Sequence, residues 1–172
     1  MDFIELAKAR YSCRKFSPKH VEPEKLAKIL EAGNLAPTAA NLQPQRIYVL
    51  QSDEALAKIN SLCKCIYGAK TVLMFAYDSA QDWKNPEETG INSGQQDVSI
   101  VATHSMLEAW NLGIASCWVN LFSNAKVAEA FSLPESEKVV LLMPIGYAAE
   151  DSKPHPKWHS ERKEIAKTVK YL

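Results

Sequence analysis

In the stretch ARYSCRKFSP, Arg10, Ser12 and Arg14 stand two residues apart. Two guanidinium forks flanking a hydroxyl match the oxygens of a phosphate or the polar edge of a ring. Each fork donates paired N–H groups, and the hydroxyl both donates and accepts. The same residues also suit a solvated turn in which arginines compensate the dipole at a helix C-terminus. The six glycines, at positions 33, 68, 90, 94, 113 and 146, include no G-x-G-x-x-G or P-loop spacing. A phosphate bound by this chain must therefore meet arginine and lysine side chains rather than a glycine-rich backbone.

A second polar group lies in APTAANLQPQ. Pro37 stops a helix, and Thr38 and Asn41 follow on a short irregular turn. The Asn41 amide pairs equally well with a uracil-like ring edge or with nothing but water, as part of a capped helix–strand loop. No nucleophile–base pair stands out, so no catalytic side chain is assigned. Cys63-Lys-Cys65 with His155 and His159 offers four potential zinc ligands, but the long separation and the intervening Pro156 make a poor zinc pattern. No metal is expected, and Cys13, Cys63, Cys65 and Cys117 read as reduced thiols.

The elements that must position these groups alternate along the chain. FIELAKAR is a short amphipathic helix ending near Tyr11, and PEKLAKILEAGNLAP has Pro23 near its start with Gly33 and Pro37 to close it. RIYVLQ is a strand, DEALAKINSLCK a helix, and TVLMFAYD, from Thr71, a strand covered on both faces. A polar loop, SAQDWKNPEETG, precedes a helical run from about Ile91 to Leu112; with Trp83 it is a candidate substrate-facing lid. Then come ASCWVNLF as strand or tight turn, a helix at NAKVAEAF, the strand KVVLLMPIGYA, and a helix from about Ser160. The order α-α-β-α-β-α-β-α-β-α implies a sheet layered with helices.

The bounds agree with a globular enzyme-sized domain. The 172 residues suit a single domain, 1–172, with a substantial core. Apolar residues make up 47% and charged residues 23%, as in an ordinary soluble protein. The 20 acids balance the 20 bases, which gives no reason to expect nucleic acid or an anionic membrane as partner. MDFIELAKAR lacks the pattern of a signal or transit peptide, and no apolar run is long enough to span a bilayer, so a cytoplasmic location is expected.

Five stretches, in order, resemble the nitroreductase-like FMN-dependent flavoproteins. RYSCRKF is similar to their R-x-S-x-R-x-F/Y signature, and APTAANLQPQRIYVL to their A-P-S/T-x-x-N-x-Q-P segment. DVSIVATHSMLEAWNLGIASCWVNLF resembles the long central helix and the turn after it, VVLLMPIGYAAED the L-x-x-P-I-G-Y strand, and ERKEI the C-terminal basic group. The resemblance implies an α+β, three-layer α/β/α fold whose central mixed, mostly antiparallel sheet is flanked by helices. It implies a homodimer with FMN at the subunit interface, NADH or NADPH as donor, and a small-molecule acceptor such as a nitroaromatic or quinone, reduced by a ping-pong mechanism.

The resemblance also assigns residues. Arg10, Tyr11, Ser12 and Arg14 would meet the phosphate and the N1–O2 edge of the flavin; Pro37, Thr38, Ala39, Asn41 and Gln43 would complete the partner's site. Trp118, Val119 and Asn120 would pass beside N5, although Trp118 is equally suited to core packing, and Asn120 and Leu121 stand where many relatives have glycine or glutamate. Arg162, with Lys163 as substitute, would reach the phosphate, unless the two form a solvated pair; Ser160 stands where relatives often carry a first basic residue. Two other functions fit the residues: a related flavin enzyme that dehalogenates, dehydrogenates or cleaves flavin, and a non-catalytic nucleotide- or thiol/metal-binding dimer.

Overall fold

The computed structural model describes residues 2–172. Strands β1 (Gln45–Leu50), β2 (Thr71–Asp78), β3 (Ala115–Ser116) and β4 (Glu137–Gly146) form one sheet in the order β1-β2-β4-β3. All three pairings are antiparallel, and a parallel contact is added by the isolated bridge between Ser12 and Ser116. The sheet is thus mixed and mostly antiparallel, as the resemblance implies.

Period-two alternation along β2 builds the layers. Val72, Met74 and Ala76 enter one cluster with Leu56 and Ile59 of α3 (Asp53–Leu62) and Val127 of α5 (Asn124–Ala130). Leu73 and Phe75 enter the other with Ile29 of α2 (Pro23–Asn34) and Val98, Val101 and Ala102 of α4 (Gly94–Asn111). Buried on both faces, β2 reads as the continuous apolar run TVLMFAYD. Local chemistry starts the helices: Ser52 and Ser123 accept the Ala55 and Lys126 N–H groups at the heads of α3 and α5, and Pro23 opens α2. The two faces of the sheet carry helices, which makes three layers.

The segment after α4 follows β4 in one register. Ala115 faces Gly146, Ser116 faces Ile145 and Val119 faces Leu142, with Val119 and Leu142 exchanging both backbone bonds at 2.9 and 3.1 Å. Between them Cys117 N–H donates to the Pro144 carbonyl at 3.1 Å, but Pro144 has no N–H to return. One missing donor therefore reduces β3 to two residues, although the chain stays alongside β4 as far as Val119.

Two expectations need correction. The long helix begins at Gly94, not Ile91, because Asn92 still pairs with Lys84 and Ser93 N–H donates to the Trp83 carbonyl at 3.0 Å, closing the 79–90 loop on itself. The last helix, α6, runs over Pro156–Ser160, before the expected start, and beyond it there is only a 3-10 turn at Ile165–Lys167. Residues 161–172 are exposed throughout, so nothing among the described residues buries an apolar face that would stabilise a helix there. Among the described residues no helix is long and apolar enough to cross a membrane.

Candidate functional site

Helix α1 (Phe3–Ala9) stops at Arg10, whose backbone is extended at φ −62°, ψ 132°. From there the chain runs as an edge strand, with Ser12 in parallel register to Ser116 and Cys13 N–H donating to the Ser116 carbonyl at 2.9 Å. Extended backbone turns the spacing of Arg10, Ser12 and Arg14 into a shared side. Cys13, on the other side, is fully buried.

Arg10, Tyr11, Ser12 and Arg14 line a cavity of about 50 Å³, closed by His155, Trp158 and His159 from α6 and by Arg162 from the tail. One water needs roughly 10–15 Å³, so the space holds a group of a few heavy atoms and not a tricyclic ring. Among the described residues, three guanidinium groups and two imidazoles line it, and no carboxylate does. Burial, followed by repulsion from Arg162, holds the Arg10 guanidinium below its usual value, with Cys117 acting in the opposite sense. Arg14 is steadied by donating to the Ser12 carbonyl at 3.2 Å and by lying 5.4 Å from the centroid of the Trp158 ring. The Ser116 hydroxyl, beside Ser12 in the bridge, is buried without a hydrogen-bond partner. Such a lining attracts an anion.

The turn from Pro37 to Gln43 lines no part of this cavity. It is a 3-10 turn, Ala39–Asn41, with non-glycine residues Ala40, Asn41 and Gln43 at φ 50°, 55° and 52°. Two side chains hold it: Thr38 Oγ1 accepts the Gln43 N–H at 3.1 Å, and Asp97 Oδ1 accepts the Ala39 N–H at 2.9 Å. Pro37, Asn41 and Gln43 are exposed, and Thr38 and Ala39 partly so. Within this chain the arginine pocket and this turn are separate surfaces.

The third segment is divided. Val119 is buried and committed to β4, Trp118 is half-buried against the α2–α4 core, and Asn120 and Leu121 are exposed. Because Val119 points its backbone groups at Leu142, alternation leaves those of Trp118 on the open edge. Lys163, unlike Arg162, is not among the residues lining the cavity.

The pocket also takes in Trp158, which the sequence does not single out, and His155 and His159, which it offers only as part of a poor zinc pattern. His155, Trp158 and His159 are spaced i, i+3, i+4, a one-face helical pattern that groups them with one another and not with Cys63 and Cys65. Among the described residues no group of histidine, cysteine and acidic side chains is arranged to hold a metal. Asp97 is also missed; its trace in the sequence is an acid in the first turn of a long helix, four residues after Ser93.

A search for relatives gives the same picture. The model of the Nitroreductase family matches residues 7–67 and 60–147. A crystal structure of a nitroreductase family protein from Clostridium difficile 630 is 36% identical and superposes with a TM-score of 0.92, covering 99% of this chain and 98% of that one. An FMN-dependent nitroreductase from Clostridium difficile R20291 is 26% identical, with a TM-score of 0.79 and 98% of each chain covered. A Methanothermobacter thermautotrophicus protein with the provisional name NADH dehydrogenase/NAD(P)H nitroreductase is 29% identical over 158 residues, 88% of this chain and 80% of that one. With the family pattern matched through most of the sequence and the fold reproduced along its length, the chain belongs to the nitroreductase family.

Proposed function

We propose that this chain is an FMN-dependent NAD(P)H oxidoreductase, acting as a homodimer in the cytoplasm on a small oxidised acceptor. The chemistry that FMN supplies when bound is hydride transfer through N5, from NADH or NADPH to a nitroaromatic, a quinone or a similar acceptor, in alternating half-reactions. The observation that carries the reading is the phosphate-sized cavity lined by Arg10, Ser12, Arg14 and Arg162 and free of carboxylates.

The residues present fit that cofactor in two parts. Arg10, Arg14 and Arg162 fit the phosphate, Lys163 follows Arg162 in the chain, and Ser116, whose hydroxyl has no partner, is bridged to Ser12. Arginine near the N1–O2 edge favours the anionic reduced ring and so raises its tendency to accept electrons. The cavity is too small for the ring, which needs a second surface; Pro37, Thr38, Ala39, Asn41 and Gln43 provide one to the partner subunit. Exposed Leu35 and Leu42, close in sequence to that turn, leave apolar surface there for a partner. Tyr11 lines the pocket, and Trp118, Val119 and Asn120 follow Ser116 along the sheet edge, where they are read as lying beside the ring. No side chain of this chain is asked to transfer a proton or form a bond; the protein binds, orients and excludes water.

The test is a visible spectrum of the purified protein, then anaerobic addition of NADH and of NADPH. A yellow protein bleached by either donor and reoxidised by a nitroaromatic or quinone supports the reading; a colourless protein that FMN does not turn yellow refutes it. In Arg14→Ala, loss of a charge-assisted contact worth about 1.5–3 kcal/mol should weaken FMN retention roughly ten- to a hundredfold.

A further inference from the structure

The two imidazoles over the arginine pocket are not equivalent. His155 Nδ1 accepts the Trp158 N–H at 3.2 Å, which caps α6 and leaves the ring proton on Nε2. Its ring is stacked on Trp158 at 3.9 Å and 11°. A second proton on Nδ1 would set a donor against a donor and release the cap, so His155 serves best when neutral. The ring of His159 carries no such duty. Its backbone N–H donates to the His155 carbonyl and its carbonyl accepts from Arg162, while its ring lines the cavity and meets Tyr11 edge-on at 6.3 Å.

The charges around His159 set the sign of its response. Tyr11 and Arg10 face it from the end of α1, Arg14 from the edge strand, Arg162 from the tail and His155 from its own helix. Lys157 and Glu161 flank it in sequence and are exposed, outside the lining. A dianion bound among these groups places negative charge close to the ring, which favours a proton on it.

We propose that His159 makes phosphate binding proton-linked: the pocket takes up a proton when a phosphomonoester enters, and the ligand is held more tightly as pH falls toward neutrality. This rests on the reading of the pocket as the FMN phosphate site. His155 is the positioning residue, holding the α6 roof and, through Trp158, the Arg14 guanidinium.

A phosphomonoester keeps most of its second charge above pH about 6, and histidine changes charge between about pH 5 and 8. The linkage therefore appears where those ranges overlap, above pH about 6 and into the range in which histidine loses its charge. One coupled proton limits the slope to a tenfold change in Kd per pH unit, and a partial coupling gives about three- to tenfold across that interval.

The experiment titrates the full-length apoprotein with FMN and, in parallel, with riboflavin, which lacks the phosphate, at constant ionic strength across pH 6.5–8.5, following flavin fluorescence. The FMN Kd should rise about three- to tenfold with pH while that of riboflavin stays flat. His159→Gln should hold the weaker, alkaline affinity throughout. His155→Asn, which keeps a capping acceptor, should retain the wild-type slope, and His155→Ala should bind FMN more weakly at every pH. An undiminished slope in His159→Gln, or an equal slope for riboflavin, overturns the proposal. So does a flat FMN profile in the wild type, which leaves the flavin reading intact. Failure of both flavins to bind at any pH overturns the flavin reading as well.

Discussion

Replacing Asp97 with alanine tests whether the turn leading into β1 is held from α4. The Asp97 carboxylate is buried in the first turn of α4, with Oδ1 accepting the Ala39 N–H at 2.9 Å and Oδ2 accepting the Ser93 hydroxyl at 2.7 Å. The turn needs such support. Asparagine tolerates a left-handed backbone, but Ala40 at φ 50° and Gln43 at φ 52° each cost about 1–2 kcal/mol. Against that stand the charge-assisted bond from Ala39, worth about 1.5–3 kcal/mol, and the Thr38–Gln43 bond, worth about 1 kcal/mol.

In Asp97→Ala the Ala39 N–H and the Ser93 hydroxyl lose their acceptor together, and stability should fall by about 3 kcal/mol. Asp97→Asn keeps an acceptor oxygen for Ala39 and should lose only about 1 kcal/mol. Urea unfolding at pH 7, followed by far-UV circular dichroism and with the denaturant slope checked for constancy, measures both. If Asp97→Ala lies within about 1 kcal/mol of wild type, the turn does not depend on the carboxylate. If the variant is destabilised but binds FMN as tightly as wild type, the 37–43 turn is not part of the site. That result would leave the clamp in place and remove the role assigned to it.

Other perturbations test separate parts of the structure. Ala40 is exposed, so Ala40→Val should cost about 1–2 kcal/mol through its backbone alone while Ala40→Gly is tolerated; equal thermal melts for the two would contradict the strain reasoning. A Cβ on Gly33 would lie 2.5 Å from the Ser105 Oγ where α2 crosses α4, so Gly33→Ala should lose about 1 kcal/mol despite its better helix propensity, and adding Ser105→Ala should restore it in chemical unfolding. The Tyr147 hydroxyl donating at 2.7 Å, and then Lys19, holds the Glu22 carboxyl at about 2, below its ordinary 4.5. A depressed carboxyl stabilises the fold above pH 4.5 and loses that contribution as pH falls toward 2, so Tyr147→Phe should flatten the fall in stability over that interval. An unchanged acid limb in Tyr147→Phe would show that the bond does not persist in solution.

The architecture was legible where one residue pattern admits one structure. TVLMFAYD is too short for a helix with two buried faces and too apolar for an exposed strand, and the run of helices and strands follows the observed order. The tail was not. Ile165, Val169 and Leu172 have helical spacing, but spacing predicts a helix only when a surface exists to cover it, and this chain offers none. At the site, Arg10, Ser12 and Arg14 could be read because extended backbone converts a spacing of two into one face. Asp97 could not, since the group it serves is 58 residues away and only the α4–turn contact brings them together. The histidines, weighed with Cys63 and Cys65 and set aside as a poor zinc pattern, were not placed in the pocket, because residue types alone do not show that His155 spends its Nδ1 on a helix cap.

The pocket gathers like charges, and the sheet supplies the means. Arg10 and Arg162 repel one another, and Arg14 lines the same space, so the open chain has no electrostatic reason to bring them together. What holds them is backbone. β4, buried in both clusters, fixes residues 115–119; Ser116 in turn accepts the Cys13 N–H; and Cys13, fully buried, anchors the chain immediately before Arg14. Only Arg162 arrives on a segment outside that ladder, held by its bonds to the His159 and Glu161 carbonyls at 2.7 and 2.8 Å. Core packing thus opposes the repulsion at one end of the cavity, and the short helix α6 with its tail opposes it at the other. A bound phosphate removes the repulsion from both ends. Its stabilisation of the protein, about 2.7 kcal/mol when the ligand is at a hundred times Kd, should therefore appear first in the weaker end, as protection of α6 and the tail before any change in the sheet.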